Sequence, residues 1–259
     1  MAMVTVVTIT VDIASTMSTK VPSRSRASIG LCAGAVSFLL TILTFFQIMA
    51  YAHLVYVSPR VEISLKTGSS LSQPISSAAL GAYQLAVWWL PVDAELYQTM
   101  GRLELRNAAS FAESDPQYLE ALERSRNQFT SAIFVAPARS FSWTLLAHAS
   151  NETEGSKEML NRLLRMSYFL GPHEASNVLL RSYIEGKRWN DLDADLREYA
   201  QRDFLAIWLN EQLHPKLFQI YVEASFGGRM GIRRAILPDR AAADLFDQQL
   251  LKFTGLLKP

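Results

Sequence analysis

Between Arg26 and Arg60 the chain contains no Asp, Glu, Lys or Arg. Nothing else in the sequence restricts the fold as much, because a helix needs about 20 apolar residues to cross a bilayer core and this run exceeds that. The segment from Ile29 to Val57, IGLCAGAVSFLLTILTFFQIMAYAHLVYV, is therefore expected to cross a membrane once. It accounts for most of a compositional anomaly. Charged residues make up 19% of the 259 residues, against roughly 25% in an average soluble protein. Tyr51, His53 and Tyr56 put amphipathic rings at the C-terminal end, where an aromatic belt meets the headgroups. Cys32 falls inside the span as a small apolar residue, and as the single cysteine it excludes an intrachain disulfide or a multi-cysteine metal site.

A cleavable signal peptide is the rival reading, with Lys20, Arg24 and Arg26 as its basic region and Ala50-Tyr51-Ala52 as its cleavage site. Its apolar region normally holds about 7 to 15 residues, and this run is nearly twice as long, so an anchor is the better reading. The same three basic residues, set against Arg60 and Lys66 beyond the span, favour an N-terminus inside the cell. Residues 1–28 then read as a flexible cytoplasmic tail. The alternation Val4-Thr5-Val6 and Thr8 to Val11 has no second strand to pair with, and Met17 is an alternative start.

Residues 58–73 carry only the short alternation Val61, Ile63, Leu65 and read as a linker. From residue 74 to 259 the periodicity is helical. From Asp93 to Phe111, apolar Leu96, Met100, Leu103 and Leu105 with Ala108 and Phe111 recur at three- and four-residue steps behind an Asp N-cap. The pattern returns in Tyr118–Phe134, Ser140–Ala149, Lys157–Leu170, Glu174–Glu185 and Leu192–Leu213, with Pro91, Pro137, Pro172 and Pro215 as punctuation. The fold class is all-α, a single transmembrane helix followed by antiparallel helix pairs.

Aligning the prolines reveals a repeat. Six residues after Pro91 stands Tyr97, followed by Met100 and Gly101; six after Pro137 stands Trp143, followed by Leu146 and Ala147. Phe129 and Ala132 precede Pro137 by eight and five residues, and Pro137 and Pro172 are 35 apart. This alternation of bulky and small residues resembles the tetratricopeptide repeat, whose period is about 34. The resemblance covers two repeats, roughly Ala78 to Pro172, with Val178 replacing the aromatic afterwards, and it implies a peptide- or protein-binding helical solenoid closed by C-terminal capping helices. It makes Gly101 and Trp143 packing positions. A narrower resemblance lies in MSYFLGPHEASNVLLRSYIEGKRWNDLDADLREYAQRDFLAIW. Its Leu-Gly-Pro break, Trp189 with Leu192, and Arg202-Asp203 before Trp208 resemble small membrane-anchored proteins that accompany bacterial exopolysaccharide or O-antigen polymerases or ligases. That implies an inner-membrane protein with a periplasmic C-terminal domain, a bilayer and an envelope protein as partners, and a scaffold or adaptor role. An envelope enzyme acting on glycan or peptidoglycan, and a general secretion or assembly scaffold, are the alternatives.

The chemistry-bearing residues form no familiar catalytic pattern. None of His53, His148, His173 and His214 has a second histidine at i+3 or i+4, so no metal or cofactor site is expected. Asp191, Asp193 and Asp195 read as a helix start, where carboxylates favour the positive end of the dipole. Phe226-Gly227-Gly228-Arg229-Met230-Gly231 reads as a turn, since a dinucleotide loop should follow a strand. With 25 basic and 24 acidic residues the chain has no electrostatic footprint for nucleic acid. Arg229, Arg233, Arg234 and Arg240 form a basic patch suited to carboxylates or phosphates. Trp88, Trp89, Trp143, Trp189 and Trp208 read as packing residues.

In a stack of helix pairs the first helix of each pair lines the concave side. Residues one and five after the packing aromatic then enter the groove: Gln98 and Arg102 after Tyr97, Thr144 and His148 after Trp143. A reporter active only outside the cytoplasm, fused after Pro259, is expected to give signal while the protein retains Arg24. A mature N-terminus at His53 would instead establish a cleaved signal peptide.

Overall fold

The computed structural model describes residues 23–67, 73–153, 155–236 and 240–255. They form twelve α-helices and two 3-10 turns, with no strand among the described residues. In chain order the helices are α1 (Ser23–Ala52), α2 (Ser58–Thr67), α3 (Gln73–Trp89), α4 (Ala94–Ala108), α5 (Pro116–Val135), α6 (Ser140–Glu152), α7 (Lys157–Leu170), α8 (Ala175–Lys187), α9 (Ala194–Trp208), α10 (His214–Glu223), α11 (Phe226–Ile236) and α12 (Arg240–Phe253). The chain divides into two units after Gln47. The first contains most of α1, which over Cys32–Ala52 is long and apolar enough to cross a membrane and is largely solvent-accessible up to Ile48. The second contains everything from Ile48 onward.

The expected boundaries shift at both ends of the apolar segment. Residues 1–22 of the predicted tail lie outside the described residues, and α1 already begins at Ser23. At the other end α1 stops at Ala52, short of the expected Val57. Ala50, Leu54 and Val57 are buried against Ala79, Tyr83 and Ala86 of α3, so the domain and not lipid covers them. The expected linker is also helical over Ser58–Thr67, because Val61 and Ser64 are buried at a helical spacing that the sequence alternation concealed. Residues 68–72 lie outside the described residues.

Local chemistry explains the helix limits that follow. Asp93 caps α4 by accepting from Glu95 N at 2.9 Å, Asp115 caps α5 ahead of Pro116 by accepting from Gln117 N at 2.9 Å, and Ser156 caps α7 through Met159 N at 3.2 Å. The predicted helix Leu192–Leu213 is divided. α9 ends at Trp208, whose carbonyl bonds His214 Nε2 at 2.7 Å while its ring stacks on the imidazole at 4.2 Å. That contact fixes the turn that starts α10.

The helices α4 and α5, and α6 and α7, pack as antiparallel pairs. In the α4/α5 pair Gly101 lies beside Phe129, Arg124 Nε donates to Glu104 Oε1 at 3.0 Å, and Ala108 joins Ala121 and Leu122. Low numbers in α4 thus meet high numbers in α5. The Gly101 carbonyl also accepts from Ser125 Oγ at 2.9 Å, an approach that only a residue without a side chain permits. Thr144 with Ser167, at 2.5 Å, registers α6 on α7 in the same sense. Successive pairs then stack with their N-terminal turns together. Arg139 faces Glu95 at 3.9 Å, Gln98 donates to Ser142, and Asn177 Nδ2 donates to Ser140 Oγ at 2.8 Å.

The glycine-rich segment read as a turn is instead the start of α11. Its glycines serve contact between helices. A Cβ on Gly228 would sit 2.8 Å from the Gly186 carbonyl carbon of α8, and one on Gly231 would sit 2.7 Å from Cζ3 of Trp189. Side chains there would push α11 off the α8 end and its tryptophan, which also stacks on Phe204 of α9. Trp143 is only partly buried, packed on the core with Nε1 donating to the Pro137 carbonyl at 2.8 Å, and Trp88 is exposed. Not every tryptophan is a packing residue, therefore.

Three glycine substitutions separate these roles. Gly101→Leu is expected to lower stability by about 1–3 kcal/mol by overpacking Phe129, and Gly228→Ala to do the same against rigid backbone. Gly81→Ala in α3, where a Cβ meets nothing within 4 Å, should raise stability by up to about 1 kcal/mol. Melting temperatures of the detergent-purified protein give the order. Trp143→Ala should cost less than the roughly 3 to 5 kcal/mol of a fully buried tryptophan.

Candidate functional site

The first helices of the successive pairs meet at one groove of about 550 Å³. α4 contributes Arg102, Leu105 and Arg106; α6 contributes Phe141, Leu145 and His148; α8 contributes Leu179, Leu180 and Tyr183. Leu65 of α2 and Lys216, Gln219 and Ile220 of α10 close its two ends. The wall is apolar with basic groups set into it, and no Asp or Glu lines it. Each contributing helix presents a three- and four-residue stripe, such as Phe141, Leu145 and His148, so one helical face enters the groove while the other packs on the second helix of its pair.

Two polar groups in this groove are incompletely satisfied. Arg102 has no hydrogen-bond or ion-pair partner among the described residues. Burial, with the Arg106 guanidinium one turn away, lowers its pKa from the usual arginine value. His148 Nδ1 is buried without a hydrogen-bond partner, and its ring stands edge-on to Tyr183 at 5.7 Å. Burial pushes its pKa below the ordinary histidine value, so the imidazole is neutral at pH 7. A cation without an ion-pair partner and an imidazole with an orphaned nitrogen, both on a wall that no carboxylate lines, suit an anionic group attached to an apolar body.

Of the four predicted groove residues, Arg102 and His148 line the groove and the other two do not. Thr144 is fully buried, with Oγ1 2.5 Å from Ser167 Oγ and 3.0 Å from Asn177 Oδ1. Gln98 is committed to Ser142 on the neighbouring helix. The residue one after the aromatic points between adjacent pairs and locks their stacking, whereas the residue five after it reaches the open side. Lys216 and the α8 residues were not legible from the repeat pattern, because it had faded by Val178, and Arg106 was missed because it stands one turn beyond the second groove position of α4.

The basic patch is partly committed. Arg233 donates to Tyr221 Oη at 2.9 Å and to Asp247, and Arg229 Nε donates to the Ala224 carbonyl at 3.1 Å. Arg234 and Arg240 are exposed. Asp193 and Asp195 begin α9 as expected and share Arg165, at 2.7 and 2.9 Å. Among the described residues no group of three or more His, Cys, Asp or Glu is placed to hold a metal ion.

A second constellation lies deeper. Arg181 is fully buried. Its Nε donates to Asp203 Oδ2 at 2.9 Å, Nη1 to the Gly171 carbonyl at 3.0 Å and Nη2 to the Pro172 carbonyl at 2.9 Å, while the guanidinium lies over Tyr168 at 3.9 Å. Tyr168 Oη lies 2.8 Å from Glu185 Oε1 and 3.1 Å from Asp203 Oδ2. A phenol can donate to only one of two acceptors. Both contacts are satisfied when a protonated Glu185 donates to Tyr168 and Tyr168 donates to an ionised Asp203. Complete burial, reinforced by the Asp203 charge, accordingly raises the Glu185 pKa to about 8. Asp203 reaches a cavity of about 620 Å³ bounded by Phe169, His173 and Tyr199, but Glu185 is closed off from it. A sequence signal for this network exists: Val178, Arg181 and Glu185 keep helical spacing, which puts two charges on the buried stripe of α8.

Compared with known protein families and with curated proteins, the chain gives no significant match.

Glu185 makes stability pH-dependent with a definite sign. Its folded pKa lies above the ordinary carboxyl value of 4.5, so its contribution is fully present below that pH and is lost as pH rises through about 8. Glu185→Gln keeps a donor toward Tyr168 without a titration. Unfolding between pH 5 and pH 8 should show the wild type losing stability relative to the variant, by up to about 1.4 kcal/mol per pH unit. Parallel pH profiles would place the proton elsewhere.

Proposed function

We propose that this chain is a non-enzymatic, membrane-anchored adaptor of bacterial envelopes. Its C-terminal helical domain stands outside the cytoplasm as a tetratricopeptide-like stack and holds a segment of a membrane-protein partner. The observation that carries this reading is the groove: its wall comes from the first helices of successive pairs, mixes apolar with basic side chains, carries no Asp or Glu, and offers Arg102 without an ion-pair partner among the described residues. A binding solenoid uses that face of its stack. The fitting partner segment is apolar with a carboxylate, read as anchors spaced along an extended or helical peptide. The resemblance of the Met166–Trp208 region to companions of polysaccharide polymerases and ligases makes such an enzyme the proposed partner, with exopolysaccharide or O-antigen assembly as the process.

The enzymatic alternative needs two carboxylates that a substrate can reach. Asp195 and Asp203 both line the cavity of about 620 Å³, but each is already paired with an arginine, Asp195 with Arg165 and Asp203 with Arg181, and Glu185 beside Asp203 is closed off, which favours the adaptor reading. A photo-crosslinking residue at Leu179 in the full chain is expected to capture one polytopic membrane protein in its native membrane. Arg102→Glu should reduce that capture at least tenfold without changing the melting temperature by more than a degree or two. Undiminished capture by the folded Arg102→Glu variant would remove the groove from the binding role.

A further inference from the structure

The edge of the domain formed by the turns between helix pairs carries a row of exposed apolar side chains. Near the C-terminus of α3 stands Trp88, 72% exposed, with Val92 in the turn beyond it at 72%; near the ends of α5 and α7 stand Phe134 at 89% and Phe169 at 81%. These residues share one edge because the pairs stack in register. The Glu95–Arg139 ion pair joins the turn after Trp88 to the turn after Phe134, and the Ser140–Asn177 bond joins the latter to the start of α8, just beyond Phe169.

The end of the apolar helix lies at that same edge. Tyr51, in the last turn of α1, donates from its hydroxyl to Asp93 Oδ2 at 2.8 Å, so the turn carrying Val92 adjoins the point where the span ends. α3 runs back toward this point: Tyr83 is hydrogen-bonded to Ser58, whereas the turn after α3 reaches Tyr51. Leu85, Trp88 and Val92 therefore lie progressively closer to the end of the span. No Asp, Glu, Lys or Arg occurs between Lys66 and Asp93. By contrast, the opposite edge has a cavity lined by Glu113, Glu152, Lys187, Arg188 and Glu223.

We infer that the edge bearing Trp88, Val92, Phe134 and Phe169 is a bilayer-facing ridge. It seats these side chains in the interfacial layer of the membrane that α1 crosses, so that the domain lies on the lipid surface instead of hanging free from its anchor. Large aromatics are suited to that layer, where a ring can be buried while neighbouring polar groups stay wet. The occupant is lipid because the ridge is continuous with the end of the apolar helix. The inference rests on the reading that α1 spans the membrane.

The test uses the full chain with Cys32→Ser and single cysteines replacing Leu43, Trp88, Val92, Phe134 or Leu119, each labelled with a nitrobenzoxadiazole dye. The variants are reconstituted in phosphatidylcholine–phosphatidylglycerol vesicles with or without a doxyl-labelled lipid. Leu43 reports the span, and Leu119 is an exposed apolar control on the opposite edge. Strong quenching is expected at 43, clear quenching at 88, 92 and 134, and none at 119. Only variants with the wild-type circular dichroism melt are scored, and three independent ridge positions guard against one misfolded substitution. Quenching at 43 with none at 88, 92 and 134 overturns the ridge, whether those dyes report water or the dry contact of a second copy. Absence of quenching at 43 overturns the membrane-span reading itself.

Discussion

The buried guanidinium of Arg181 holds the middle of the domain together. Removing such a charge from water costs several kcal/mol unless every donor finds a partner. Here the partners come from three places in the chain: the carbonyls of Gly171 and Pro172 just past the end of α7, Asp203 on α9, and the face of Tyr168. The two carbonyls lie at the negative end of the α7 dipole, where a cation is favoured. The Leu-Gly-Pro break can therefore be both a sharp stop and a binding site for the next helix. Because Arg181 cannot leave one partner without stranding a charge, α7, α8 and α9 keep one mutual register.

That register propagates outward in both directions. Toward the N-terminus it fixes where α8 begins, and Asn177 there reaches Thr144 and Ser140 of α6. Gln98 and Glu95 extend the stacking to α4. Toward the C-terminus, Gly186 at the end of α8 receives Gly228, and Trp189 receives Gly231, which seats α11. The groove and the apolar edge are consequences of this stacking. Alternate helices turn one face inward to the groove, and the turns between pairs line up along one side.

Much of the helical framework is legible along the chain. Asp93, Asp115 and Ser156 announce helix starts; Pro91, Pro137 and Pro172 mark where pairs change; and the Gly101 and Phe129 spacing identifies a close helical pair that the structure brings into contact. Misreadings cluster where one local pattern supports two structures. Val61, Ile63 and Leu65 alternate as a strand or linker would, yet Val61 and Ser64 are the pair that faces inward. Three glycines in six residues look like a turn until Gly186 and Trp189 are seen to need their missing side chains.

What the sequence determined by itself is the class of the molecule: an apolar helix of membrane-spanning length, followed by amphipathic helices whose caps, prolines and periodicity are local properties of neighbouring residues. Tertiary structure decided which polar residues face one another. Thr144 and His148 occupy the same helix four residues apart, but one is sealed among Ser167 and Asn177 while the other opens on the groove. Tyr168, Arg181, Glu185 and Asp203 likewise become a network only when α7, α8 and α9 meet. Helical periodicity gives the direction of a side chain relative to its own axis, whereas burial, charge compensation and protonation depend on what a distant part of the chain places opposite it.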